Sequence, residues 1–349
     1  MAERAGTLEG VVNPEAWRGR RVLVTGHTGF KGAWLALLLE KLGAIVSGLA
    51  LDPSSTPSMH ALVGGGGDGR DRVDLRDERA VADRVREAEP EVIFHLAARS
   101  LVRPAFADPA GTYEVNVVGT AHLLEAVRAS ASVRAVVVVT SDKVYGPGGD
   151  GRPYTEDWPL GGIDPYSSSK AACELVTAAF RSSYLTPAGV GVATARAGNV
   201  IGGGDWATDR VVPDAVRALE RSEPVALRHP GAIRPWQHVL DPLHGYLLLA
   251  ERLLEEPGDA PVALNFGPDP AEECSVAELV ERVTAGFGGK PGWRADVDAS
   301  PVPETATLRL DASRARATLV GARASTSTRR SAGRSTGTAR MPAATTYAR

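Results

Sequence analysis

Cysteine is nearly absent. The two present, Cys173 and Cys274, lie far apart and in no metal-ligand spacing, which argues against a zinc site and fits a reducing compartment. A strong excess of charge is also missing. The formal net charge is -3, so the chain offers no field for nucleic acid or for an anionic membrane. No apolar run is long enough to span a bilayer, and the N-terminal MAERAGTLEG lacks the apolar stretch of a secretion signal. The expectation is a soluble, cytoplasmic protein with no metal, membrane or nucleic-acid partner. What is there is ordinary globular material, 43% hydrophobic and 23% charged over 349 residues, enough for one large domain or two ordinary ones.

Arg21 to Thr25 reads as a strand, and Gly26-His27-Thr28-Gly29-Phe30-Lys31-Gly32 as a glycine-rich turn. Ala33 to Leu42 reads as a helix closed by Gly43, and Ala44 to Ala50 as a second strand. Strand, turn and helix in that order are the context a dinucleotide fingerprint needs. Gly26 permits the tight turn, Gly29 lets the backbone approach a pyrophosphate, and Gly32 lets helix and strand pack closely. The helix N-terminus then offers free N–H groups and a positive dipole end to the phosphates. Helices are expected over Asp77–Ala88, Gly111–Ala129 and Asp164–Tyr184. Strands are expected over Glu91–His95, Arg134–Thr140 and Val190–Ala195. This alternation predicts an α/β fold, a Rossmann-type doubly wound parallel sheet. Gly64 to Gly67 reads as a surface connection without function. After Asn199 the alternation gives way to loops rich in Gly, Pro and Trp. Short helices follow over Pro213–Glu220, Pro242–Leu254 and Val276–Ala285. The expected division is a dinucleotide-binding domain over 15–198 and a smaller C-terminal stretch over 199–318 that is mainly the substrate-binding lobe.

Two carboxylates could bond the cofactor's adenosine. Asp52 follows the second strand at the distance of a ribose ligand, though Leu51-Asp52-Pro53 equally reads as a polar loop; Asp74 ends a strand and could bond the adenine amine. No arginine stands clearly in place for a 2′-phosphate, which favours NAD over NADP.

Chemistry concentrates at two stretches. Thr140-Ser141-Asp142-Lys143 ends a strand of β-branched residues, where ligands of an open α/β sheet bind. Tyr166 and Lys170 stand four residues apart, one turn apart on one helical face. A nearby ammonium favours the phenolate, so Lys170 is expected to lower the tyrosine's pKa toward neutrality. A tyrosine so tuned can take a proton from a sugar or alcohol hydroxyl while hydride leaves the carbon, with Ser141 holding the same hydroxyl.

The sequence resembles the extended short-chain dehydrogenase/reductase family. The resembling residues are T-G-x-x-G-F-x-G at Thr25 to Gly32, H-L-A-A at His95 to Ala98, N-V-x-G-T at Asn116 to Thr120, and the Tyr166/Lys170 pair. Longer stretches resemble the members that dehydrate CDP-glucose. These are Leu101 to Arg103, Thr140 to Lys143, Gly161 to Lys170, Arg196 to Arg210, Arg234 to Leu240 and Asn265 to Pro268, within a match running from about Trp17 to about Thr318. The resemblance implies bound NAD, a nucleotide-sugar substrate and a homodimer. It implies cofactor contacts from Gly26, Thr28, Gly29, Phe30, Lys31, Gly32, Asp74, Leu75, Leu96, Ala97, Ala98, Tyr166 and Lys170. Substrate contacts are implied for Arg103, Asn199, Arg210, Arg234 and His238. Arginine suits bidentate phosphate recognition, while a satisfied structural histidine at 238 would look the same. The implied catalytic group is Ser141, Asp142, Lys143, Tyr166, Lys170 and Asn116. Asp142 would donate a proton at C6 and Lys143 accept one from C5, a role that needs a neutral amine. Asn116 would order a relay water beside Tyr166. Thr140 is read as backbone support, His95 as nicotinamide lining or core, and Trp206 and Trp236 as pocket walls or core. Arg99 departs from the glutamine common in the family, which leaves that contact open.

Past Leu319 the chain is rich in Arg, Ser, Thr and Ala, with no acidic residue. Such a segment cannot bury enough apolar surface to order itself. Residues 319–349 therefore read as a disordered basic tail or as the product of a shifted reading frame. Two other functions remain in view. One is another nucleotide-sugar dehydratase or a 4-epimerase of the same fold, although an epimerase needs no acid–base pair at Asp142-Lys143. The other is a non-catalytic NAD-binding regulator, which has no need of Tyr166 and Lys170.

Overall fold

The computed structural model describes residues 12–65, 71–148, 151–269, 272–289, 292–296 and 307–320. Six parallel strands form its central sheet: β1 (Arg21–Thr25), β2 (Ile45–Leu49), β3 (Val92–His95), β4 (Ala135–Val139), β5 (Gly191–Ala197) and β6 (Ala263–Phe266). Their order is β6-β5-β4-β3-β1-β2. The order reverses between β1 and β3, and the crevice beyond their carboxyl ends is where such sheets bind ligands.

Strand side chains alternate between two buried layers. Val22, Val24, Phe94, Val137 and Val139 join one apolar cluster, whereas Leu23, Ile93, Val136 and Val138 join the other. A helix caps each layer because its apolar face lands there. Leu35 and Leu39 of α1 (Phe30–Lys41) cover the first face; Val81 and Val85 of α2 (Glu78–Ala88) cover the second, with Leu123, Leu124 and Val127 of α3 (Gly119–Arg128). The starts of these helices are written in the sequence. Asp77 caps α2 by accepting from Ala80 N at 3.0 Å. Asp164 caps α4 (Pro165–Phe180) by accepting from Ser167 N at 2.9 Å, with Pro165 at the first helical position.

Three expectations change. The helix expected over Gly111–Ala129 is interrupted: Pro109–Tyr113 is α-helical, Glu114–Val118 forms a π turn, and α3 follows. Likewise α4 ends at Phe180 in a π turn over Arg181–Leu185. The third change concerns the boundary at 198. The sixth strand of the sheet, β6, lies beyond it and pairs with β5 from Ala263↔Thr194 to Phe266↔Ala197. α6 (Leu240–Glu255) packs Leu243, Tyr246, Leu247 and Leu249 into the first layer, and Ala315 and Leu319 reach the same core. The dinucleotide-binding domain is therefore closed by residues from the second half of the chain. Three apolar residues around a buried Asn265 are too few to mark β6 in the sequence, but pairing with β5 supplies its burial.

The smaller lobe has its own core. Ala215, Ala218 and Leu219 of α5 (Val211–Glu220) meet Val225 and Leu227 and, from α7 (Val276–Gly286), Val280. Strand Val225–Leu227 pairs in parallel with Trp293–Ala295. Residues 66 and 67 of the tetraglycine connection and residues 321–349 of the tail lie outside the described residues.

Candidate active site

The carboxyl ends of β1, β3, β4 and β5 and the smaller lobe enclose a cavity of about 1740 Å³. Its floor is the glycine turn. Gly26 has a φ of +74°, and a Cβ there would sit 2.7 Å from Ala97 N; at Gly32 it would sit 2.1 Å from Gly26 O. Both positions therefore require glycine. Gly29 caps α1 without a side-chain hydrogen bond, leaving the first-turn N–H groups open toward the cavity as an anion would need. Thr28 Oγ1 donates to Leu51 O at 2.8 Å and holds the turn against the loop after β2. These residues fit a dinucleotide: a backbone cradle that tolerates no side chains, at the sheet's switch point. Phe30, Lys31, Leu75, Leu96, Ala97 and Ala98 line the same cavity, as do Asp52 and Asp74.

At the adenosine end an arginine does stand by the candidate ribose ligand. Arg72 Nε lies 2.6 Å from Asp52 Oδ1, and its Nη1 is 3.1 Å from Asp71 Oδ2. Two carboxylates therefore answer its charge. Arg76 is held on Asp74 at 2.6 Å and keeps that carboxyl below its ordinary range. Neither arginine belongs to a recognisable motif that would signal it.

The reacting end is dry. Ser141, Asp142, Tyr166 and Lys170 are all buried, and Lys143 is half-buried in the middle of a short 3-10 turn. Ser141 Oγ donates to Asp142 Oδ1 at 2.9 Å and accepts from Lys143 N at 3.2 Å. Ser141 also bears on the Tyr166 phenol and lowers its pKa. Burial pushes the Asp142 carboxyl up, against the lowering effect of Lys143, Ser141, Arg234 and Lys31. A carboxyl so raised holds its proton longer, the property of an acid.

Tyr166 corrects an expectation. Its phenol is pushed up to about 12, because burial outweighs the lowering by Ser141. Lys170 does not supply the expected lowering. Its Nζ donates to Val139 O at 3.1 Å, burial lowers its own pKa, and the cation that bears most on the phenol is Arg210. Spacing put the two residues on one face, but it could not report the desolvation of both.

Asn116, in the π turn, is buried outside the cavity lining. Its Oδ1 accepts from Arg99 N at 2.8 Å, and its Nδ2 donates to Arg99 O at 3.1 Å and to Ser169 Oγ at 2.9 Å. It ties the loop after β3 to the helix of Tyr166. His95 is a core residue: its ring lies between Thr25 Oγ1 at 2.7 Å and Thr120 Oγ1 at 3.0 Å, and burial pushes its pKa down to about 3. Arg99 turns away to an ion pair with Asp108.

Behind the reacting end sits a buried network that the sequence reading did not foresee. Glu174 accepts from Arg196 Nη2 at 2.7 Å and Nε at 3.0 Å, and also from Thr140 and from Thr194 Oγ1 at 2.7 Å. Thr140 N donates to Ala195 O at 3.0 Å, so its side chain and backbone both brace the strand end. Arg196 had been visible only as the first letter of a motif.

Asn199, Arg103, Arg210, Arg234 and His238 line the same cavity, with Trp206 and Trp236. Arg103 and Arg228 both reach Asp209, at 3.3 and 3.4 Å, and Arg210 lies 3.8 Å from Asp205. Arg228 had no motif to signal it.

Comparison with known proteins agrees with this geometry. The chain is 44% identical over 315 residues to a CDP-glucose 4,6-dehydratase of Salmonella typhimurium, covering 87% of this chain and 86% of that protein. A double mutant of a dTDP-glucose 4,6-dehydratase from Streptomyces venezuelae, solved with NAD bound, superposes with a TM-score of 0.70 at 27% identity, covering 86% and 91% of the two chains. A UDP-glucose 4-epimerase from Thermotoga maritima shares the fold at a TM-score of 0.70 and 23% identity, over 85% and 92%. Residues 22–264, most of the chain and all six strands of its sheet save the two ends, match the NAD dependent epimerase/dehydratase family, and the protein belongs to that family.

Proposed function

We propose that the protein is a lyase that binds NAD and converts CDP-glucose to CDP-4-keto-6-deoxyglucose, a step toward deoxysugars. The observation that carries the reading is the convergence of Ser141, Asp142, Lys143, Tyr166 and Lys170 on one cavity. The 44% identical relative supports CDP-glucose as the substrate. NAD, bound in the glycine cradle, would supply the hydride acceptor and later the hydride donor.

The residues divide the work. Tyr166 takes the C4 hydroxyl proton as hydride leaves that carbon, which requires that the phenol first give up its own proton, and Ser141 orients the hydroxyl. The resulting 4-ketone acidifies the C5 proton. Lys143 removes it while Asp142, whose carboxyl burial pushes up, gives its proton to the C6 hydroxyl, which departs as water. Hydride then returns to C6 and C5 is reprotonated. Lys170 orders the strand end through Val139, and Asn116 braces the helix of Tyr166. Arg103, Arg210 and Arg234 hold the diphosphate, with Asn199 and His238 beside them.

The working form is a cytoplasmic homodimer in this reading. Tyr113, Val118, Leu175 and Tyr184 are exposed apolar residues on and beside the helices that would meet a second copy. No helix among the described residues is long and apolar enough to cross a membrane, and Cys173 and Cys274 are both unpaired.

The test is incubation of the purified protein, separately, with the CDP, dTDP, UDP and GDP forms of glucose, followed by mass spectrometry. Loss of one water from CDP-glucose alone is the expected result. Conversion of any of the four to its 4-epimer without loss of water would replace the dehydratase reading with an epimerase.

A further inference from the structure

Ser141, Asp142 and Lys143 stand on a turn whose two ends are held from outside the cavity. At one end Thr140 gives its backbone N–H to Ala195 O and its hydroxyl to Glu174. At the other end is Tyr145, which is buried and forms no part of the cavity lining. Its Oη donates to Asn265 Oδ1 at 2.5 Å and accepts from Arg196 Nη1 at 3.1 Å. The same guanidinium gives Nε and Nη2 to Glu174, at 3.0 and 2.7 Å, and Nη1 also to Glu156 O at 3.0 Å. One planar fork on β5 therefore spans both ends of the turn, a geometry that a single ammonium cannot supply. Asn265, on β6, is itself fixed. Its Nδ2 donates to Tyr154 O at 2.9 Å and to Asp311 O at 3.2 Å, which turns Oδ1 toward the phenol. Burial pushes that phenol up to about 12, so it remains a donor at neutral pH. The Tyr145 ring has separate support: it stacks on Tyr154 with centroids 5.0 Å apart and planes at 12°. The hydroxyl is thus not what buries the ring; it is what aims the chain.

We propose that Tyr145 is a positioning residue for the acid–base pair: its hydroxyl, held between Arg196 and Asn265, fixes the end of the turn that carries Lys143, so the elimination step depends on it and the hydride step does not. The proposal rests on the dehydratase reading. The division follows from where the reacting groups are mounted. Tyr166 and Lys170 stand on α4, whereas Asp142 and Lys143 stand on the turn, close in the chain to Tyr145. Ser141, next to Thr140, keeps its own anchor when the Tyr145 hydroxyl is lost. A turn freed at its far end lets Lys143 drift from the C5 proton without moving Tyr166, and a misplacement of about 1 Å can cost on the order of 10²-fold in rate. Glu174 cannot separate the two steps, because it stands on α4 and bonds to Thr140, so that its loss disturbs both.

The test compares Tyr145→Phe, which keeps the stacked ring and removes the hydroxyl, with the parent. Hydrogen exchange read by mass spectrometry should be about tenfold faster over residues 140–146 and unchanged over α4. With NAD and CDP-glucose, single-turnover appearance of reduced cofactor should stay within about twofold of the parent. Exchange of the C5 proton with solvent deuterium, and loss of water, should each fall about 10- to 10²-fold, with reduced cofactor accumulating. Equal slowing of both steps overturns the proposal, since a loosened fold slows them together. So does an unchanged exchange rate over residues 140–146, or a faster one with elimination intact. If Tyr145→Phe does not fold, Arg196→Lys takes its place: it keeps a charge beside Glu174, gives up the fork that reaches Tyr145, and should show the same partition between steps. A parent that dehydrates none of the sugar nucleotides defeats the dehydratase reading instead. Hydrogen exchange then still reports whether the hydroxyl holds the turn, and an unchanged rate there overturns the positioning role by itself.

Discussion

At the inner end of the cavity Ser141, Asp142, Tyr166 and Lys170 are buried; at the outer rim the side chains of Arg103 and Asp209 are each 36% exposed. The inner end works by removing water. Desolvation dominates the shifts of Asp142, Tyr166, Lys170 and Lys31, and it favours the neutral form of each. The rim keeps its charges wet and paired, Arg103 and Arg228 on Asp209. Such pairs are screened by salt and exchange readily for a ligand's phosphates. Proton transfer needs groups that are nearly indifferent to their proton, whereas anchoring a diphosphate needs cations that never lose theirs. One cavity holds both by grading its access to water.

The largest effect should come from the inner end. Tyr166→Phe removes the only atom proposed to take the C4 proton, and kcat should fall about 10³-fold, within the range for positioned acid–base groups. Single-turnover absorbance of reduced cofactor reads it, with CDP-glucose affinity nearly unchanged. Next is the brace behind it. Glu174→Ala strands Arg196 in the interior and should cost about 3–5 kcal/mol of stability, measured by denaturant midpoint. A loss under about 1 kcal/mol would mean the network is wetter than its burial implies.

The third prediction uses pH. His95 titrates near 3 when folded and near 6.5 when unfolded, so between those values the unfolded chain binds the extra proton. Stability from His95 is complete above pH 6.5 and is lost as pH falls toward 3. His95→Asn should flatten that acid limb of the stability profile, at the cost of some stability at pH 7. The smallest effect belongs to the rim. Arg103→Ala should raise KM about tenfold, in line with one charge-assisted hydrogen bond, and leave kcat within about twofold. The difference from the parent should shrink as salt rises. If Arg103→Ala instead lowers kcat more than it raises KM, the division between dry and wet ends fails.

What could be read in the sequence was whatever is encoded by neighbours in the chain. The βαβ unit was legible because Gly26, Gly29 and Gly32 sit at fixed offsets between a strand and a helix. β4 was legible because four consecutive valines leave few alternatives. β6 was not, since Ala263 to Phe266 become a strand only by lying along β5. Residue identity at the site was legible from motifs, while environment was not. Tyr166 and Lys170 are one turn apart as expected, yet burial raises the phenol and Lys170 spends its donor on Val139. Glu174 with Arg196, and Arg228 with Asp209, join positions 22 and 19 residues apart, beyond any local pattern.

The late arrival of β6 also matters during synthesis. While the ribosome is still adding residues 198–262, the nascent chain carries five of its six strands, and the outer edge of β5 has no partner. At roughly ten residues per second this interval lasts about six seconds, long compared with the microseconds in which a strand can find a neighbour. An unpaired parallel edge is an invitation to pair with another chain. Arg181, at the end of the helix before β5, donates to Val262 O at 3.3 Å in the finished protein. Until residue 262 has emerged, that edge is exposed to chaperones and to other nascent chains alike, so the rate of translation across this stretch bears on how much enzyme a cell recovers.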